Sequence, residues 1–269
     1  MTALEALLRR QRALVAGGLF VLALLAWVYI WRGAGMGMSA LDMTVLTLFP
    51  HAHVEPMQGM PLPDTTWLTI VTMWWVMMIA MMTPSAAPLV LLYGRVLRHW
   101  NAHRASVGVS SLLLVAGYLA VWLGFSVVAA GLQYALERAG LISAMMLWSK
   151  SAWLSAAVLI GAGVYQLSPL KRVCLEHCRG PAAFLSRHAK TGRWNALRLG
   201  VEHGAWCVGC CWLLMALLFV GGVMNLVWVA LLAVLVLAER VVSEGRWVSA
   251  LTGVVLIVWG AATLAVGAA

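Results

Sequence analysis

The sequence predicts an all-α fold, a polytopic transmembrane helical bundle, and three observations carry that expectation. Of 269 residues, 63% are hydrophobic and 10% charged, where a soluble domain has about 25% charged residues. Mean hydropathy is +0.92. The apolar residues run unbroken over lengths that cross a hydrocarbon core of ~30 Å, without the alternating polarity of a membrane β-barrel. Too little polar sequence remains for a separate soluble domain, so residues 1–269 are expected to form a single membrane domain.

The spans follow in order. Uncharged stretches cover 13–31, 67–94, 106–136, 151–170, 204–238 and 247–269. The first begins after Arg9, Arg10 and Arg12 and ends at Trp31 with no small-residue cleavage pattern, which marks a retained helix rather than a signal peptide. The fifth has 35 residues, and as one helix it would reach about 52 Å. Gly221-Gly222 divides it into two spans of ordinary length, giving about seven spans, or six if it is undivided.

Charge placement orients the spans. Arg95, Arg98 and Arg104 follow the second stretch, and Lys171, Arg172, Arg179, Arg187, Lys190, Arg193 and Arg198 follow the fourth. Both loops are therefore expected on the cytoplasmic side of a bacterial inner membrane, with the N-terminus cytoplasmic. The loop 32–66 carries Arg32 against Asp42, Glu55 and Asp64 and is expected outside. This asymmetry accounts for the net charge of +9, and no nucleic-acid-binding motif accompanies it. Trp31, Trp67, Trp100, Trp148, Trp194, Trp206 and Trp247 sit near span ends, where indole rings anchor at the headgroups. Residues 182–200 mix Phe184, Leu185, Trp194, Leu197 and Leu199 with Arg and Lys, the pattern of an amphipathic surface helix.

Sulfur is distributed unevenly. Met73, Met77, Met78, Met81 and Met82 fall within ten residues, five of the chain's fifteen methionines. On a helix Met73, Met77 and Met81 stack on one face with Met78 and Met82 beside them. Such residues fill irregular gaps between helices; they also form an uncharged path selective for Cu(I) over hard cations. Pro84 removes a backbone donor just beyond the ladder, so a kink is expected there. The outer loop holds Met36, Met38, Met43, Met57 and Met60 with His51 and His53, a composition suited to copper capture.

All five cysteines lie between Cys174 and Cys211. Cys174, His177 and Cys178 belong to the basic loop, residues 168–203; Cys207, Cys210 and Cys211 open the fifth stretch, with His203 one turn earlier. Small-residue packing explains cysteines in membrane helices but not the pair in a basic loop. Together the clusters suffice for a two- or three-coordinate Cu(I) site or a tetrahedral Zn(II) site. Neutral Met donors on the outer side and thiolates at the inner boundary would give an affinity that rises inward. Of the remaining polar residues, Asn225 is expected to bond across helices and Glu239 to pair with Arg240 or Arg246.

Three stretches carry a family resemblance: Trp75-Val-Met-Met-Ile-Ala-Met-Met-Thr-Pro-Ser-Ala-Ala-Pro88, Tyr165-Gln-Leu-Ser-Pro-Leu-Lys-Arg-Val-Cys-Leu-Glu-His-Cys-Arg-Gly-Pro181, and Cys207-Val-Gly-Cys-Cys-Trp-Leu-Leu-Met215 followed by Gly222-Val-Met-Asn225. In these the chain resembles a bacterial family of metal-binding integral membrane proteins, catalogued as a domain of unknown function, some members of which are labelled copper chaperones. The resemblance covers most of the chain after Trp67 and implies that Met78, Met81, Met82, Cys174, Cys178, Cys207, Cys210 and Cys211 belong to the family pattern. His51 and His53 lie outside it.

These readings favour a Cu(I)-handling membrane protein over an enzyme. It would accept the ion through Met and pass it to the Cys cluster, for transport or for metallation of a partner such as a membrane metalloenzyme. Its partners would be the bilayer and a copper donor or acceptor protein. Two alternatives stand beside this: a structural protein in which Zn(II) clips the basic loop to the fifth stretch, and a thiol–disulfide electron carrier using Cys207 and Cys210. No nucleotide-binding loop is present.

Overall fold

A computed structural model of the chain describes residues 3–35, 40, 41, 44, 66–100, 104–143, 147–188, 192–242 and 245–267. They form α1 (Ala3–Trp31), α2 (Trp67–His99), α3 (Arg104–Arg138), α4 (Ala152–Leu167), α5 (Pro169–Arg179), α6 (Pro181–His188), α7 (Arg193–Ala216), α8 (Leu218–Gly221), α9 (Leu226–Val241) and α10 (Gly245–Gly267). Outside the helices the described residues include one isolated antiparallel bridge, Ile142 with Ser149. The fold is an all-α bundle. Among the described residues five helices are long and apolar enough to cross a membrane, and the bent pair α4–α5 makes a sixth candidate. His51, His53 and the outer-loop methionines lie outside the described residues.

The fifth stretch is divided as its glycines predict. α7 and α8 end at Gly221, Gly222 takes φ +96°, and α9 begins four residues later. A positive φ at this point is open to glycine at little cost. The Asn225 side chain caps α9 by accepting from the Trp228 amide at 3.1 Å. α9 has 16 residues, about 24 Å of rise, and falls outside the spanning candidates by its length.

Helix pairs approach closely where side chains are absent. α3 lies along α7, and a Cβ on Gly200 would clash with the carbonyl of Leu114. α4 lies along α10, where a Cβ on Gly163 would meet the Gly253 carbonyl at 2.7 Å. Small residues at such crossings replace a hydrophobic driving force that lipid tails do not supply. Between α2 and α3 the contact is polar and buried: Trp74 Nε1 donates to Gln133 Oε1 at 2.7 Å, and Trp75 Nε1 to the Leu119 carbonyl at 3.1 Å.

Several local expectations change. Within the segment expected as a basic loop, residues 168–203, the described residues fold as α5, α6 and the start of α7. The single amphipathic helix expected over 182–200 is two pieces: Phe184 and Leu185 of α6 are buried, whereas Trp194 at the start of α7 is exposed. Trp31, Trp67, Trp100 and Trp247 are exposed as anchors should be, but Trp148 is buried and Trp206 stacks on His177. α2 continues as one helix through Pro84 and Pro88, the prolines just beyond the methionine ladder.

Candidate metal centre

The site is assembled from five helices. Ser168 ends α4 and starts α5: its Oγ accepts from the Lys171 amide at 3.2 Å, and Pro169 occupies the first helical turn, where a missing N–H is harmless. The chain bends by 66° there. The bend lays α5 against α7 with Cys174, Leu175 and Cys178 buried and its charged face outward, apart from Lys171. Gly209 makes the approach possible, since a Cβ there would meet Cys174 Sγ at 3.2 Å. Tyr165 donates to the Gly209 carbonyl and ties α4 to the same turn.

The two cysteine clusters therefore meet. Cys178 Sγ and Cys210 Sγ are 3.9 Å apart. Cys210 and Cys211 direct their thiols at the Cys207 carbonyl, at 3.1 and 2.8 Å, as residues three and four positions along a helix can. All five cysteines are buried and none forms a disulfide.

A guanidinium enters this sulfur cluster from α9. Arg240 Nη2 donates to Cys207 Sγ at 2.8 Å and to Cys210 Sγ at 3.4 Å, while Nη1 donates to Ser85 Oγ of α2 at 3.0 Å. Tyr118 of α3 joins from the other side: its hydroxyl is 3.1 Å from Cys207 Sγ and donates to the Met82 carbonyl at 3.2 Å. Arg240 is 9% exposed, and a buried cation needs a nearby opposite charge or full hydrogen bonding. Sulfur supplies most of it here.

Next to the centre lies a separate charged cluster. Lys171 Nζ and Glu239 Oε2 pair at 2.7 Å with 1% and 2% exposure. Gln166 Nε2 and Ser249 Oγ donate to Glu239 Oε1 at 2.7 and 3.1 Å, and Lys171 also donates to Gln166. Glu239 thus pairs with Lys171 of α5, not with Arg240 or Arg246 as the sequence suggested. The salt bridge joins α5 to α9.

The methionine ladder belongs to the same core. Met73, Met77, Met78, Met81 and Met82 are all buried in one cluster with the five cysteines, as are Met215 and Met224. Nine residues separate Met73 from Met82, about 14 Å of helix. The Met82 end is the one joined through Tyr118 to Cys207. Met215 follows Cys211 by one turn of α7 and extends the sulfur run.

The histidines separate from the cysteines. His177 faces away from the centre: its ring stacks on Trp206 at 4.1 Å, and Nδ1 lies 2.9 Å from the Val173 carbonyl. His203 is buried beside Tyr118 and Phe184, and neither ring nitrogen has a hydrogen-bond partner. Among the described residues, no three His, Cys, Asp or Glu side chains converge as a ready-made metal site. Tyr118, Arg240 and Ser85 were not among the sequence candidates. Arg240 carried the one usable signal, an ionisable residue at the end of an apolar run.

An all-α bundle of apolar helices with soft donors at its centre defines the class: a polytopic helical protein with a sulfur-rich core. Residues 71–263, from α2 into α10, match the model of a family described as a copper chaperone, and the chain belongs to that family. The match takes in the methionine ladder and both cysteine clusters and leaves out α1 and the loop bearing His51 and His53. Comparison with curated proteins and with solved structures gives no match. The family ties the chain to copper, and the donor set agrees with it: thiols and thioethers suit soft ions, and the buried carboxylate of Glu239 is engaged by Lys171.

Proposed function

We propose that this protein is an integral membrane copper carrier. It takes Cu(I) through the methionines of α2 and hands it to the cysteines at the α5–α7 junction, for transport or for loading a partner such as a membrane metalloenzyme. The observation that carries this reading is the 3.9 Å separation of Cys178 and Cys210 Sγ. It lets one ion reach both sulfurs at an ordinary metal–thiolate distance of about 2.3 Å. The charge distribution along the bundle supports the same direction of travel, with neutral thioethers in the apolar interior and thiolates at a boundary lined with Arg and Lys. That boundary is the cytoplasmic one in this reading, with the N-terminus inside and the protein in a bacterial inner membrane.

Arg240 acts as a resident cation. Its guanidinium balances negative charge on Cys207 and Cys210 when no metal is present. Cu(I) carries a single charge, so release of one thiol proton as the ion binds would keep the net charge of the centre unchanged, while the guanidinium yields the sulfurs and keeps its bond to Ser85. Arg240→Gln removes the competitor and is expected to tighten Cu(I) binding by about tenfold, which is ~1.4 kcal/mol. Competition against a chromogenic Cu(I) chelator under anaerobic conditions measures it. Unchanged or weaker binding would reject the displacement.

The ladder has its own test. In a Met77→Leu/Met81→Leu variant the shape is nearly conserved, so stability should change by less than ~1.5 kcal/mol per site. Uptake of Cu(I) by proteoliposomes should fall severalfold. Unchanged uptake would leave these methionines as packing alone.

A second reading draws on the same contact, because α5 is held to α7 where Cys174 and Cys178 approach Gly209 and Cys210. Zn(II) there would clip the two helices. Zinc near one per chain as isolated, and a lower Tm after chelation, would select it.

A further inference from the structure

The bend between α4 and α5 opens a cavity of about 530 Å³ that α10 closes on the far side. Gln166, Ser168, Lys171 and Arg172 line it from α4 and α5, and Arg246 and Trp247 from α10. Lys171, at the floor, is engaged by Glu239 and Gln166. Glu239 itself is buried and held by three donors, Gln166, Lys171 and Ser249. Arg172 and Arg246 are exposed at the mouth, and among the described residues neither guanidinium has a protein acceptor. No carboxylate lines the cavity among the described residues. Two exposed guanidiniums without a protein acceptor among the described residues line one concavity, Arg172 from α5 and Arg246 from α10, and such a lining favours an anionic ligand.

The surroundings specify what carries that anion. Trp247 is 72% exposed beside Arg246, the position of an indole at headgroup depth. Leu170 and Val173 of α5 and Leu251 of α10 are exposed next to the mouth. A basic recess whose rim is apolar matches a molecule with an anionic head and hydrocarbon tails, and basic pockets between membrane helices bind anionic headgroups.

We propose that this cavity binds the headgroup of an anionic phospholipid, its phosphate oxygens bridging Arg172 and Arg246 and its acyl chains lying along Leu170, Val173 and Leu251. The lipid would join α5 to α10 and brace α5, which carries Cys174 and Cys178, against α7. The inference rests on the membrane-spanning reading and is independent of copper.

Native mass spectrometry of the full chain, released from detergent with phosphatidylglycerol or phosphatidylcholine at equal concentration, tests it. Wild type is expected to retain phosphatidylglycerol at least about fivefold better. Arg172→Gln/Arg246→Gln should abolish that preference, and Arg187→Gln/Arg193→Gln, an equal loss of charge elsewhere, should keep it. Equal retention of both lipids by wild type overturns the site while leaving the membrane reading intact. Equal loss in both variants also overturns it, since surface charge alone would then explain binding. Displacement of the lipid by millimolar inorganic phosphate would make the cavity a free-phosphate site and overturn the lipid assignment.

Discussion

A Cys178→Ser/Cys210→Ser variant is expected to lose Cu(I) affinity by at least about a hundredfold while remaining folded. Serine keeps the size of cysteine but offers a hard oxygen in place of a soft sulfur, so the loss falls on metal selectivity rather than on packing. The two sulfurs come from different helices, 32 positions apart in sequence, and face one another at 3.9 Å. Removing both takes away the sulfur pair that meets across the α5–α7 contact at 3.9 Å. Buried cysteine otherwise behaves as a small apolar residue, so Tm in detergent should shift only modestly. Chelator competition under anaerobic conditions gives the affinity, and circular dichroism gives the fold. Wild-type affinity in this variant would remove the α5–α7 junction from the copper site.

The largest stability effect is expected at the neighbouring salt bridge. Glu239→Gln leaves Lys171 charged at 1% exposure with no anion beside it. Breaking one side of a buried pair costs about 3–5 kcal/mol, because the remaining charge stays desolvated. Gln166 softens the loss by accepting from Lys171 but brings no countercharge. A Lys171→Met/Glu239→Met double variant should recover much of the stability, since no charge is left buried. Denaturant unfolding in mixed micelles measures both. If Glu239→Gln unfolds like wild type, the pair does not hold α5 to α9.

These two sites differ in how far the sequence disclosed them. Hydropathy exposed the spans because each is a long uncharged run, and Gly221-Gly222 marked the division of α7–α8 from α9 because few other residues would take φ +96° there. The cysteines and methionines were visible as local excesses. α5 was concealed because its composition is that of a loop: Lys171, Arg172, Glu176, His177 and Arg179 dominate eleven residues. Its helical signal was the Ser168-Pro169 start together with Cys174, Leu175 and Cys178 on one face. The charges misled most where pairing is tertiary. Glu239 has Arg240 as its neighbour and Arg246 seven residues on, yet its partner is Lys171, 68 positions away. Arg240 turns instead into the sulfur cluster, since successive residues on a helix point in directions about 100° apart. His177 lies beside Cys178 in sequence and still leaves the centre to stack on Trp206, for the same reason.

The copper account stands on sulfur ligation at the α5–α7 junction. X-ray absorption at the copper edge of anaerobically loaded protein, with metal content determined on the same sample, tests it most directly. The account predicts about one copper per chain in the Cu(I) state with a first shell of sulfur only, and loss of that signal in the Cys178→Ser/Cys210→Ser variant. A first shell of nitrogen or oxygen, or zinc retained in place of copper, would contradict it.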